Sequence, residues 1–373
     1  MRALRPWTHR RLLRRREAAV WLATLAGCGG SGGSTNPPIS IGDPVDIAGL
    51  PLTKQLDLYL ASAPADQPGI SVLVMQDGVE TYSSQRGMAN SLTRTAITRH
   101  TGFRLASVSK PFTAVAVMQL VEQGQLKLSD ALLDYLPELP EHWRPITLEH
   151  LLTHTSGIVD IFNDFWTPAV FYNMTLDGLL TYLASSQRTL EFPPGSRGDY
   201  SNTGFMLLAK VIERRTGRRF GEHMAEALFK PAGMLDSYIN DEYTPLKAGD
   251  ALNRGTLSTY YGFTTYFKGS MAQVSSADDF LHFYQALLGG RLVKPETLAE
   301  MARPHSTVTG GGRYGLGFGL ASYGLVHYGE WDGFWTLMAI DTHRKRAWTA
   351  LTNSGTPGRT QVFDIERLVS GAL

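Results

Sequence analysis

The strongest constraint on this chain is the order of its periodicities. Strand-forming runs lie toward both ends of the folded part, and helix-forming runs lie between them. Ile70-Ser71-Val72-Leu73-Val74-Met75 is β-rich, Asp77-Gly78 is a turn signal, and Val79 to Gln85 returns, which predicts a hairpin. Thr336 to Ile340 and Arg346 to Thr352 predict two more strands, joined by the turn Asp341–Lys345. A helix near Thr360 to Leu368 closes the chain. In the middle, Pro111 to Gln123 is largely apolar and stops at Gly124. Thr147 is placed to cap a helix through Leu151 and Leu152, and Ser276 one from Asp278 to Leu288. Phe205, Leu208, Val211 and Ile212 recur at helical spacing and end at Thr216-Gly217. The expected fold is α/β (α+β): an antiparallel sheet from both chain ends, flanked by helices, with a helix-rich insertion at about residues 100–265.

The N-terminus reads as an export signal over residues 1–27. Arg10, Arg11, Arg14, Arg15 and Arg16 precede a short apolar run from Ala18 to Ala26. That run is shorter than the roughly 20 apolar residues a bilayer span needs. It ends in Leu25-Ala26-Gly27-Cys28, which resembles the lipobox of bacterial lipoproteins, and Cys28 is the only cysteine. Cys28 is therefore the expected lipidation site, and the protein is expected to be lipid-anchored in the cell envelope, on the periplasmic face of a membrane. Residues 28–46 are mostly Gly, Ser, Pro and Asn and read as a flexible linker. Residues 47–373 form the expected folded domain. Removing residues 1–27, with seven Arg and one Glu, takes Lys+Arg from 35 to 28 and Asp+Glu from 34 to 33, a net charge of −5. No nucleic-acid partner is implied.

Three constellations carry chemistry. Ser107-Val108-Ser109-Lys110 places a hydroxyl and an amine three residues apart, on one face of a helix beginning there. Serine needs a base, and lysine serves when burial lowers its pKa enough to leave it neutral. Tyr200-Ser201-Asn202 supplies a phenol that can shuttle protons if its pKa is lowered, and an amide that can hold a substrate amide. Tyr238-Ile239-Asn240 is a competing match, less favoured because Pro193-Pro194-Gly195 and a following amphipathic helix brace Tyr200. His327-Tyr328-Gly329 offers positive charge or a hydrogen bond from His327, and close backbone approach at Gly329. His100-Thr101-Gly102 also fits that pattern, in a predicted loop. His154 reads as a structural histidine. Gly29-Gly30-Ser31-Gly32-Gly33 fits a nucleophile elbow by letter, but it lies in the linker, without the strand and helix an elbow needs.

In this order the three motifs resemble the serine β-lactamase and penicillin-binding-protein superfamily, and most of all its class C β-lactamase-related serine hydrolases. That branch includes D,D-carboxypeptidases, D-aminopeptidases and esterases. Ile146-Thr147-Leu148-Glu149-His150-Leu151-Leu152-Thr153-His154-Thr155-Ser156-Gly157, Phe192-Pro193-Pro194-Gly195, Pro231-Ala232-Gly233-Met234, Ser275-Ser276-Ala277-Asp278-Asp279 and Tyr314-Gly315-Leu316-Gly317 add to the likeness, over roughly Ile70 to Asn353. The resemblance implies a β-lactamase/transpeptidase-like fold. It implies Ser107 as nucleophile, Lys110 as its base, Tyr200 as proton shuttle, and Asn202, His327 and Gly329 at the substrate. The backbone N–H groups of Ser107 and Glu330 would form the oxyanion hole. It also implies acylation followed by hydrolysis, without metal or organic cofactor.

The expected substrate is a small ester, amide or short peptide. A D-alanyl-D-alanine carboxypeptidase or β-lactamase, and a penicillin-binding-like sensor that does not turn over, are the alternatives. Tyr328 stands where the family often has a small hydroxyl residue, and Glu330 follows at once; both are expected to disfavour carboxylate-bearing substrates. Tyr328, Trp331, Phe334 and Trp335 either line an apolar acyl pocket or alternate into a core.

Overall fold

The computed structural model describes residues 49–164, 175–252 and 267–371. The signal segment, Cys28 and the whole of the linker, residues 28–46, lie outside the described residues.

The two ends of the chain meet in one antiparallel sheet of eight strands. Strands β1 (Ile70–Gln76) and β2 (Val79–Arg86) form the N-terminal hairpin. The C-terminal part supplies β3 (Ser306–Thr307), β4 (Arg313–Tyr314), β5 (Gly319–Ala321), β6 (Gly324–Trp331), β7 (Phe334–Asp341) and β8 (Arg346–Thr352). The spatial order is β2-β1-β8-β7-β6-β5-β4-β3. The join between the two ends is β1 against β8, with Ile70 opposite Thr352 and Gln76 opposite Arg346.

Both faces of the central strands are covered, so the strands read as continuous apolar runs rather than alternating ones. Val72, Val74, Leu337, Ala339, Trp348 and Ala350 face helices α1 (Leu52–Ala61) and, at the chain's end, Thr356–Ser370. Leu73, Met75, Met338, Ile340 and Leu351 face the larger helical layer. In that layer α2 (Ser109–Glu122) is buried without a break from Ser109 to Met118. It has no polar stripe because it is surrounded on all sides. Each such fully buried Leu, Val or Phe contributes about 1.5–3 kcal/mol of transfer free energy.

The caps expected from sequence form. Thr147 Oγ1 accepts from the N–H of His150 at the start of α3 (Leu148–Leu152). Gly217, in the left-handed region, ends α4 (Asn202–Thr216). Ser276 caps α5 (Ala277–Leu288). With this numbering the C-terminal helix Thr356–Ser370 is α6. The helical region does not stop near residue 265: α5 and the helix Pro295–Met301 also lie between the two halves of the sheet.

Candidate active site

Ser107 sits in a one-turn 3-10 helix, Ala106–Val108, that runs into α2. Ala106 adopts φ 48°, a left-handed conformation costly for a residue with a Cβ. Between Thr101 and Lys110 only Ser107 retains any substantial exposure. The Ser107 hydroxyl is thus presented from an otherwise buried turn. Helical spacing brings Lys110 back under it, with Nζ 2.9 Å from Oγ of Ser107.

Lys110 is fully buried. Burial lowers its pKa to about 7, against the opposing pull of the Asp160 charge. Its other contacts are Asn202 Oδ1 at 2.8 Å and the Ser270 carbonyl at 3.2 Å. These two acceptors match the two N–H bonds of a neutral amine. The nitrogen lone pair is then left for the Ser107 O–H, which is the geometry of a general base.

The orientation of Asn202 is fixed from behind. Asp160 accepts from its backbone N–H and, at 3.2 Å, from its Nδ2. The amide oxygen is thereby turned toward Lys110. Asp160 also accepts from the N–H of Phe162 at 2.8 Å. Burial pushes the Asp160 carboxyl above its usual range, while these donors pull it back.

Tyr200 hydrogen-bonds Ser107 through its hydroxyl, and its ring lies 4.7 Å from Lys110 Nζ. A proton-shuttling Tyr200 is expected to carry a phenol of lowered pKa. The structure shows the reverse: burial raises it. Tyr200 is a neutral phenol in the resting site, and Lys110 is the group poised to take a proton.

The third motif lies on β6, and the two-residue period of a strand sorts its side chains. His327, Gly329 and Trp331 face the helical layer and the Ser107 turn. Tyr328 faces the other way, where its hydroxyl donates to Glu366 at 2.7 Å and its ring packs on Phe363. The expectation that Tyr328 crowds the substrate is therefore corrected: the strand turns it to the α6 side. Phe334 and Trp335 likewise divide between the two cores, leaving Trp331, packed on Phe162 and Phe267, on the site face.

His327 does not supply positive charge, because burial and the neighbouring Lys110 lower its pKa to about 3. Its Nδ1 is 2.8 Å from the Tyr328 carbonyl, which can only accept, so Nδ1 carries the proton. Nε2 then accepts from the Tyr314 hydroxyl at 3.0 Å. The close approach at Gly329 is internal. A Cβ there would lie 2.1 Å from the Leu105 carbonyl oxygen, so glycine lets the Ser107 turn dock on β6. Thr336 Oγ1 secures the same carbonyl at 2.7 Å. Glu330 follows on β6 as an exposed residue.

The competing motifs lie elsewhere. Tyr238 bonds Asp250, and Asn240 bonds the Thr244 carbonyl at 2.9 Å. His100 is exposed beside Asp236 at 3.0 Å. Sequence reasoning missed Asp160, Ser270 and Tyr314. Asp160 follows the quoted run ending at Gly157, and Tyr314 stands in the quoted Gly-rich run, so both were within reach; nothing in the sequence marks Ser270.

A family model described as Beta-lactamase matches residues 58–372. The chain is 27% identical over 301 residues to penicillin-binding protein 4* of Bacillus subtilis, covering 74% of this chain and 66% of the relative, just under two thirds of its length. It is 29% identical over 302 residues to esterase EstB of Burkholderia gladioli, covering 69% of this chain and 75% of the esterase. Among solved structures it is similar to an octameric penicillin-binding protein homologue from Pyrococcus abyssi, with TM-score 0.73 and 25% identity over 88% of this chain and 78% of the other.

Proposed function

The chain belongs to the Beta-lactamase family, and on that premise we propose that it is a serine hydrolase, cleaving a small ester, amide or short-peptide bond through an acyl-enzyme on Ser107. The observation that carries this reading is the fully buried, near-neutral Lys110 within 2.9 Å of the Ser107 hydroxyl.

Lys110 takes the Ser107 proton as Oγ bonds to the substrate carbonyl carbon, and the C=O electron pair moves onto oxygen. The oxyanion is held by the backbone N–H groups of Ser107 and Glu330. The intermediate collapses and expels the alcohol or amine. The proton on Lys110 returns to that leaving group by way of the Tyr200 hydroxyl. In the second half, water loses a proton back through Tyr200 to Lys110 as it attacks the acyl carbon, and Ser107 is released with its proton restored. Asn202 serves the substrate's acyl side with its remaining Nδ2 hydrogen.

Uncharged acyl groups suit this site best. A neutral His327, with one nitrogen on the Tyr328 carbonyl and the other on Tyr314, offers a carboxylate no cation. A cell-wall carboxypeptidase is the second reading, favoured by the likeness to penicillin-binding proteins. Incubation with purified muropeptides and quantification of released D-alanine separates the two.

The envelope location rests on residues 1–28. Labelling cells with a clickable palmitate analogue tests it, and label retained on Cys28→Ala would remove that reading.

The catalytic reading is tested by intact-protein mass after exposure to a fluorophosphonate. One adduct is expected on the native protein and none on Ser107→Ala. An adduct on Ser107→Ala would sink the assignment. A non-hydrolysing sensor would instead keep a substrate-derived acyl group for hours.

A further inference from the structure

We infer that His154 is the positioning residue for Tyr200, holding the phenol against Ser107 through contacts on both sides of it in the chain. The inference rests on the reading that Tyr200 moves protons at Ser107.

The geometry is a bracket. The backbone N–H of Asp199, just before Tyr200, donates to the His154 carbonyl at 2.8 Å. The N–H of Ser201, just after it, donates to His154 Nδ1 at 3.1 Å. Between these two anchors the imidazole packs on the Tyr200 ring, with centroids 4.3 Å apart. One residue thus fixes the backbone on either side of Tyr200 and also the plane of its ring. A tyrosine so held loses little freedom when it must meet a proton at one point.

Other features of His154 show that a bland core residue would be cheaper here. Its backbone is left-handed, φ 59°, which a side chain with a Cβ adopts at a cost. Accepting from Ser201 at Nδ1 puts the ring proton on Nε2. That atom is buried without a hydrogen-bond partner among the described residues. Burial, with Lys110 and His327 nearby, also drives the imidazole well below its ordinary pKa, so it stays neutral. Phenylalanine would fill the space without the unpaired N–H, and asparagine would suit the backbone better. Neither supplies both an acceptor at the δ position and a flat ring.

The ring also ties Tyr200 to the third motif. His154 lies 4.6 Å from the Tyr314 ring and 5.2 Å from Phe205. Tyr314 in turn donates to His327. The wall behind the phenol is therefore continuous from α4 to β6.

A double-mutant cycle on the full-length protein separates positioning from general support. His154→Phe keeps the ring and loses the acceptor, and His154→Asn keeps an acceptor and loses the ring. Each is combined with Tyr200→Phe, and kcat for a p-nitrophenyl ester is read alongside thermal melts. Each single His154 variant is expected to lower kcat about 10- to 100-fold, the cost of misplacing a catalytic group by an ångström or so. In the Tyr200→Phe background the same change is expected to cost less than about twofold, because its target is gone. An additive loss in that background, or native kcat in both single variants, would overturn the inference. If His154→Phe does not fold, His154→Asn carries the cycle, since asparagine tolerates the left-handed backbone. Native turnover by Tyr200→Phe alone would instead remove the premise, which is a separate result.

Discussion

Nζ of Lys110 lies 2.8 Å from Oδ1 of Asn202, a residue 92 positions later in the chain. This contact joins the first motif to the second. Asn202 offers an acceptor but no negative charge, so among the described residues no anion in hydrogen-bond contact with Lys110 holds it protonated. Because the amine must be neutral to accept the Ser107 proton, kcat/KM should rise about tenfold per pH unit in acid and level off above the Lys110 pKa, which is about 7. A pH–rate profile on a neutral ester checks this. A profile flat from pH 5 to 9 would mean that Lys110 is not the titrating base.

Asp160 sets both the orientation of Asn202 and part of the field at Lys110. Its negative charge raises the Lys110 pKa, so Asp160→Asn should shift the acid limb of the profile to lower pH. The variant also loses the carboxylate that accepts from Asn202, worth about 1.5–3 kcal/mol for a charged partner, or about 10- to 100-fold in kcat/KM if the bond matters in the transition state. A limb moving to higher pH would contradict the assignment.

Tyr328 should be silent in catalysis. Its hydroxyl meets Glu366 beneath the sheet, and Glu366 keeps a second donor in Tyr323 at 2.6 Å. Tyr328→Phe is expected to leave kcat/KM within about twofold while lowering unfolding free energy by about 0.5–1.5 kcal/mol, one hydrogen bond's net worth. Urea denaturation and ester kinetics on the same sample decide it.

Charge selection at His327 gives a substrate prediction. A carboxylate facing a neutral imidazole forgoes a charge-assisted bond of about 1.5–3 kcal/mol, so a p-nitrophenyl monoester of succinate should be cleaved about 10- to 100-fold less efficiently than the butyrate ester. Nitrocefin, which carries a carboxylate, should be a poor substrate for the same reason. His327→Lys should narrow the gap between the two esters. A native enzyme that prefers the succinate would show that another cation serves the site.

Much of the frame was legible because its signals are local. The hairpin at Asp77-Gly78, the caps at Thr147 and Ser276, and the stop at Gly217 each depend on a few adjacent residues, and the structure holds them where the sequence put them. The spacing of Ser107 and Lys110 was legible for the same reason, since helical geometry fixes what lies three residues on. The direction of Tyr328 was not: its run fits an alternating strand, but which face of β6 meets the Ser107 turn is fixed by contacts with Leu105 and Thr336, far away in the chain.

Local signals along the chain were enough for the antiparallel sheet from both chain ends and for the residue types gathered at the site. The electrical states of those residues came from folding. It made Lys110 a near-neutral amine, Tyr200 a protonated phenol and His327 an uncharged acceptor, and it brought Asp160 and His154 behind them. The reason is physical: a pKa depends on how much water and which charges surround a group. Those neighbours come from segments far apart in the chain, which no local spacing records.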